Sequence, residues 1–397
     1  FGSADRAGIF YTMGITQHAC GTENVGTIAN LALLTGNLGK PGTGVNPLRG
    51  QNNVQGACDS GALPNTYPGY QPVDIPTVRQ KFEEAWGCKL SKKKGLTSTE
   101  MIPAALEGTM KALYIMGENP VLSDPNTAHV VKALKNLDFL VVQDIFMTET
   151  AELADVVLPA ACFAEKDGTF TNTERKVQRV RKAVEPPGEA MEDAWIITEL
   201  ARRMGYPMEY ESAEEVFGEI GSLWSALAGI TYKRIEKEGI QWPCPTEDHP
   251  GTEYLYRGGF PRGRGPFAPV EFRPPAEATD KRYPLLLTTG RNLFQYHTGT
   301  MTRKNKAVES HAGQAYVEMN AADAERLGVK DGDRVKVSSR RGKVEIKTRV
   351  SAIVPEGTVF LPMHYREAAA NVITNDALDP TAKIPELKVC AVNIHKI

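Results

Sequence analysis

Hydrophobic and polar positions change period along the chain, and the changes mark its parts. Residues 8–13 (Gly-Ile-Phe-Tyr-Thr-Met) read as a short buried strand. Residues 22–35 place Val25, Ile28, Ala29, Ala32 and Leu33 at helical spacing, with Gly36 and Gly39 as the stop. From Lys40 to about Asp59, Gly, Pro and Asn crowd together and neither period holds. A loop of that length in a compact domain is uncommon, and is usually functional or disordered. Residues 111–116, 139–142 and 154–158 then read as buried strands. A helix over 126–136 takes Asn126 as its N-cap, and the capping box Thr97-x-x-Glu100 opens another. Strand–helix–strand at this spacing predicts a parallel, doubly wound sheet. Helical patterns near 192–204 and 213–227 follow, and dense Pro and Gly over 243–275 mark a linker. Beyond about 280 the character turns to β. Strands are expected at 284–289, 315–319, 333–339, 343–350, 357–363 and 387–394, with a hairpin turn at Ser339-Arg340-Arg341-Gly342. One helix, 321–327, interrupts them and ends at Gly328. Six short strands with one helix suggest a small barrel.

Composition narrows the classes. The 397 residues suit two or three domains, and 41% hydrophobic with 24% charged residues is an ordinary globular profile. Lys and Arg number 46 against 48 Asp and Glu, so the basic footprint of a nucleic-acid partner is missing. No apolar run approaches the 18 residues of a membrane span. The six cysteines form no C-x-x-C pair, which leaves zinc sites and thiolate-held iron–sulfur clusters without their usual spacing. Scattered cysteines suit a reducing compartment, and a cytoplasmic location is expected. The chain opens at Phe1 rather than Met, which leads to the expectation that it is a piece of something longer.

Three stretches carry candidate chemistry. Between Lys40 and Asp59 the only charge is Arg49, set among Gln51, Asn52, Asn53 and Gln55. A guanidinium offers a planar fork that matches a carboxylate in two parallel hydrogen bonds. The loop reads either as an anion site or as a surface loop with a solvated Arg. Thr288-Thr289-Gly290-Arg291 through His297-Thr298-Gly299-Thr300-Met301-Thr302 gathers hydroxyls, a His and an Arg after a strand. It reads either as a cradle for a polar heterocycle or phosphate, or as a polar β-loop. Five cations in eight residues, from Arg175 to Lys182, read as a phosphate or acidic-partner contact or as a solvated edge. Polar residues also collect after the parallel strands, as Gly117-Glu118-Asn119-Pro120 and Gln143-Asp144, where open α/β sheets bind ligands. No G-x-G-x-x-G accompanies them, so the nicotinamide or flavin fingerprint is absent. Of the seven histidines, His18, His297 and His364 are best placed to line a site.

These residues carry a resemblance. Tyr11-Thr-Met-Gly14-Ile-Thr16-Gln17-His18, Leu34 through Pro41, and Arg49-Gly-Gln51-Asn-Asn-Val-Gln-Gly56 resemble the catalytic subunit of molybdenum- or tungsten-dependent formate dehydrogenases. So do Gly117-Glu-Asn-Pro120, Gln143-Asp-Ile-Phe146, Glu165 through Asn172, Gly290-Arg291, Asn320-Ala-Ala-Asp323, and Asp379-Pro380 with Pro385 through Val392. The Arg49 loop is particular to formate dehydrogenases. The other motifs are shared with bis-pterin oxidoreductases at large, nitrate reductases among them.

The resemblance implies an α/β fold: a doubly wound, Rossmann-like, dinucleotide-binding region followed by a C-terminal β-barrel of double-psi type. Its domains would be 1–58 (the end of an α/β domain, with the Arg loop), 59–162 (dinucleotide-binding), 163–278 (connecting region and linker) and 279–397 (cofactor-binding barrel). It implies oxidation of formate to CO2 at Mo or W held by two molybdopterin guanine dinucleotides. A hydride, or a proton and two electrons, would pass to the metal centre, and electrons would leave through a [4Fe–4S] cluster toward electron-transfer subunits or domains. Arg49 and Gln51 would be catalytic, Arg49 aiming the formate C–H bond. Gly14, Gln17, His18, Gly117, Glu118, Asn119, Gln143, Asp144 and Asp193 would hold cofactor, as would Arg291, Tyr296, His297, Thr298, Thr300, Asn371 and Lys388. The family's cluster motif and its metal-ligating Sec or Cys, with the His after it, find no match here, so no metal ligand is expected from this chain. That implies the C-terminal portion of a longer subunit, inactive by itself. The alternatives are another bis-pterin oxidoreductase, such as a nitrate reductase, or a cofactor-binding fragment.

Overall fold

Alternation is cleanest near the C-terminus, and there it closes a barrel. In the computed structural model, which describes residues 1–397 with the side chain of Ala312 set aside, six strands form it: β1 (Leu285–Gly290), β2 (Tyr316–Met319), β3 (Arg334–Ser338), β4 (Lys343–Val350), β5 (Thr358–Pro362) and β6 (Cys390–Lys396). Their order is β1-β5-β2-β4-β3-β6, closing on β1. The β1–β5 and β2–β4 pairs are parallel; the other four are antiparallel. Every second residue points inward, as a strand's two-residue period requires. Leu285 and Leu287 of β1, Val335 and Val337 of β3, and Val344 and Ile346 of β4 fill the interior. Closure also removes the exposed edges that an open sheet would leave.

The chain divides into two compact units, one of residues 1–12, 28–97 and 158–267, the other of 13–27, 98–157 and 268–397. The second unit carries the barrel and most of a three-stranded sheet of Ala112–Met116, Phe139–Asp144 and Val156–Pro159. The first two of these strands pair in parallel. Val130, Ala133 and Leu134 of the helix Thr127–Lys135 pack with Leu140 and Val142 of the sheet, and the helix Ser98–Leu106 joins the same core. The expected succession of parallel α/β layer and barrel is what the chain builds. Among the described residues, no helix is long and apolar enough to cross a membrane.

The first unit departs from the sequence reading. The stretch expected to be structureless contains the strand Gly44–Pro47, parallel to Gly8–Tyr11, and the helix Val54–Asp59. Neither is long enough to display a period, and the strand's partner lies more than thirty residues away in sequence. Asn126 sits at a helix N-cap, but with φ 56° its side chain makes no capping bond and donates instead to Asp376 at 3.0 Å. The cationic run is a solvated edge only at its end, where Arg181 and Lys182 are exposed. Its strand, Lys176–Val180, is the central one of three, between Gly168–Thr171 and Ile240–Gln241. Arg175 donates to the carbonyls of Trp242, Thr252 and Glu253. Arg179 lies 3.9 Å from the Tyr232 ring centroid and pairs with Glu236 and Asp167. Arg175 and Arg179 thus bond within the unit.

Candidate functional site

The Arg49 loop is built on the helix that follows it. The Arg49 backbone N–H donates to Thr173 Oγ1 at 3.0 Å, which pins the loop to the neighbouring hairpin. Its side-chain Nε donates to Gln55 Oε1 at 3.1 Å. Gln55 and Asp59 lie one helical turn apart, so they share a face. Gln55 Nε2 donates to Asp59 Oδ1 at 2.7 Å and to the Tyr70 hydroxyl at 3.0 Å. The Tyr70 hydroxyl donates to Asp59 Oδ1 at 2.8 Å, and Trp242 Nε1 to Asp59 Oδ2 at 2.8 Å. Burial pushes the Asp59 carboxyl above its ordinary range, against the three hydrogen bonds that favour its charged form. Burial, then the Asp59 charge, raises the Tyr70 hydroxyl as well. Arg49, Gln55, Tyr70 and Trp242 line a cavity of about 590 Å³ within the first unit. Gln51 is exposed in the same loop.

In the second unit the residues expected to hold cofactor fall into linked groups. The Lys388 backbone N–H reaches the Gln17 carbonyl at 3.4 Å, and its Nζ donates to the Thr289 carbonyl at 2.7 Å. Burial, then the Arg291 charge, holds the Lys388 ammonium down at about 8. The same two causes lower His297. Arg291 lies 5.3 Å from the Tyr296 ring centroid. Thr298 Oγ1 is 3.3 Å from Thr300 Oγ1, which accepts from Asn119 Nδ2 at 3.2 Å. Gly117, at φ 63°, turns the chain out of its strand and donates to the Gln143 carbonyl at 2.8 Å. Gln143 itself is buried, its Oε1 accepting from Tyr114. Desolvation, then the Asp124 charge, pushes Glu118 up to about 7, and Asp144 adds to the shift. His18 Nε2 meets the Gly14 carbonyl at 2.9 Å.

Other expected residues are occupied elsewhere. Asn371 donates to the carbonyls of Leu122 and Ser123, both at 2.8 Å, and accepts from Thr374. Asn119 is buried and bonds Thr150 and Glu149 besides Thr300. Asp193 belongs to the first unit, where it pairs with Lys166. Gln17 Oε1 and both ring nitrogens of His364 are buried without a hydrogen-bond partner among the described residues. His364 is 1% exposed and lies on a cavity of about 400 Å³ shared with Thr298, Thr300, Arg303 and Lys304. Unsatisfied buried polar atoms call for an explanation. Sequence reasoning missed Asp59, Tyr70 and Trp242. The four-residue spacing of Gln55 and Asp59 was the available signal for the first.

Comparison with known proteins decides the family. A family model described as molybdopterin oxidoreductase matches residues 2–203. The chain belongs to the molybdopterin oxidoreductase family. A second family model, described as a molydopterin dinucleotide binding domain, matches residues 285–391, which contain most of the barrel. The chain is 56% identical over 401 residues to "F420-dependent formate dehydrogenase subunit alpha" of Methanocaldococcus jannaschii, covering 100% of this chain and 59% of that protein. It is 42% identical over 404 residues to formate dehydrogenase H of Escherichia coli, covering 100% of this chain and 56% of that one. The chain thus spans less than two thirds of the length of these curated relatives. Among solved structures, acetylene hydratase from Pelobacter acetylenicus superimposes with a TM-score of 0.58 at 20% identity, over 82% of this chain and 50% of that chain. That likeness is one of fold alone.

Proposed function

We propose that this chain forms part of the catalytic subunit of a formate dehydrogenase, with Arg49 as the residue that grips formate. The observation that carries the reading is the fixed Arg49 guanidinium on the wall of a 590 Å³ cavity, in a member of this family. With Nε committed to Gln55, the terminal nitrogens are the edge that a planar carboxylate would meet in two parallel bonds. Such a clamp fixes the direction of the formate C–H bond, and orientation of that kind supplies a large share of a barrier reduction. The overall reaction releases CO2, one proton and two electrons from formate, and two-electron chemistry of this sort belongs to a cofactor rather than to these side chains.

The residues of the second unit fit a pterin dinucleotide. Its orphaned Gln17 Oε1 and His364 ring nitrogens suit a polar heterocycle, and Arg291 and Lys388 suit its phosphates. Gly14, Gln17, His18, Gly117, Glu118, Gln143, Asp144, Arg291, Tyr296, His297, Thr298, Thr300 and Lys388 are proposed to hold it. When bound, a bis-pterin molybdenum or tungsten centre would supply the redox chemistry. Asn119 and Asn371 are better read as braces of the cradle, since their amides bond protein groups. Electron-transfer subunits are the proposed partners. The test is an assay of the full-length subunit with formate and, separately, with nitrate. Formate turnover without nitrate reduction is expected; nitrate reduction without formate oxidation would overturn the reading.

A further inference from the structure

We infer that Asp59 is the residue that aims Arg49, acting through the side-chain amide of Gln55. The inference rests on Arg49 being the formate-binding group. Its physical basis is the direction of each hydrogen bond. A carboxylate only accepts, whereas an amide has one accepting end and one donating end. Asp59 Oδ1 and the Tyr70 hydroxyl oxygen take both N–H groups of Gln55, at 2.7 and 3.0 Å. The amide therefore has one orientation left, with Oε1 turned to the Arg49 Nε–H at 3.1 Å. Asp59 is itself held from two sides, by the Tyr70 hydroxyl and by the Trp242 indole N–H, each at 2.8 Å. Asp59 and Gln55 are both buried, so water competes little for these bonds. A chain of donors and acceptors of this kind transmits one fixed direction.

Asp59→Asn keeps the shape and breaks that logic. If the oxygen of the introduced amide faces Gln55 and Tyr70, its NH2 opposes the Trp242 N–H. If that NH2 faces Gln55 instead, the Gln55 amide turns over and presents its own N–H groups to the Arg49 Nε–H. Either way a donor meets a donor. The first arrangement leaves the Gln55–Arg49 bond intact and puts the clash on Trp242, which is half-buried against Trp224, whereas the exposed Arg49 can swing away. The second is therefore favoured, and in it Arg49 keeps its charge, and so its attraction for a carboxylate, but loses its aim.

The experiment uses the full-length, cofactor-loaded subunit, with rates normalised to its metal content. Asp59→Asn is expected to lower kcat for formate about tenfold, an orientation effect, with KM changed far less. In a Gln55→Met background, which has no amide to orient, Asp59→Asn should cost nothing further, because the two residues act in series. A merely structural Asp59 would multiply with Gln55→Met. A crystal structure of Asp59→Asn should show the 3.1 Å contact between Arg49 and Gln55 lost. If Asp59→Asn fails to load cofactor, Tyr70→Phe enters the same cycle, with an expected loss of about threefold and the same non-additivity. Unchanged kcat per metal, or full multiplication with Gln55→Met, overturns the inference. A parent enzyme that oxidises no formate defeats the functional reading instead, and the crystallographic comparison still decides whether Asp59 positions Arg49.

Discussion

Around Arg49 the supporting polar groups are matched among themselves: Gln55 spends both ends of its amide, Asp59 accepts three bonds, and Trp242 and Tyr70 close the set. In the second unit, Gln17 Oε1 and the two nitrogens of His364 are buried without partners among the described residues. A buried group left unsatisfied costs about 1–3 kcal/mol. The first arrangement is complete as folded and needs no ligand to set its geometry. The second gains from a ligand that supplies the missing partners, and any ligand that binds only the folded state also stabilises it. Under the proposed function the first would be a substrate clamp, worth most when preorganised, and the second a cofactor cradle that its guest would complete. The contrast is a statement about where each unit spends its polar groups, and it can be broken from either side.

The largest effect should come from Arg49→Lys in the full-length subunit. Lysine keeps the charge but has no Nε–H for Gln55 and no planar fork for a carboxylate. Formate kcat/KM is expected to fall about 100-fold or more, the scale of a misplaced reacting group. Cofactor content and Tm should stay near the parent's, because Arg49 is exposed and packs into no core. Steady-state kinetics with an artificial acceptor read the first, and metal analysis with calorimetry the second. A near-parental kcat/KM would remove Arg49 from its role.

Leu287→Ala tests the other unit where its rigidity resides. Leu287 is 0% exposed inside the barrel, among Val317, Val335, Val359 and Ile394. A Leu→Ala cavity there is expected to cost about 2–5 kcal/mol of stability. The loss should appear in the unfolding of the barrel and in retention of the pterin dinucleotide. The bonds that fix Arg49 all lie within the first unit, so its geometry should not change.

The barrel was legible because its strands are buried on one face, so β3 and β4 show their period openly in the sequence. The strands of the parallel layer read equally well as apolar runs. Arg49 was legible as chemistry, being a lone charge among amides, but the structure around it was not. The strand Gly44–Pro47 and the helix Val54–Asp59 depend on contacts too distant to leave a local pattern. Asp59 meets Tyr70 eleven positions away and Trp242 at 183, and no periodicity links those three. The cationic run misled for a related reason: its counter-charges, such as Glu236, arrive from another segment of the first unit.

The finest test of the contrast is a pH dependence at His364. Burial, then the Arg303 charge, holds the imidazole down at about 4 against an ordinary 6.5. Between those values the unfolded chain binds a proton that the folded chain refuses, so stability rises with pH across that window and is lost as the solution is acidified from 6.5 toward 4. Cofactor-free full-length protein should therefore show a falling Tm over this range. His364→Phe, which cannot take up the proton, should flatten the slope. Loaded protein should behave differently if the pterin dinucleotide accepts a hydrogen bond from the ring, because a partner for the charged imidazole lifts its pKa and shrinks the window. The measurement is Tm against pH for the parent and His364→Phe, each with and without cofactor. An acid slope in the parent that survives His364→Phe would place the titrating group elsewhere. Identical slopes with and without cofactor would mean that His364 is a buried core residue, and the orphaned nitrogens would no longer separate the cradle from the clamp.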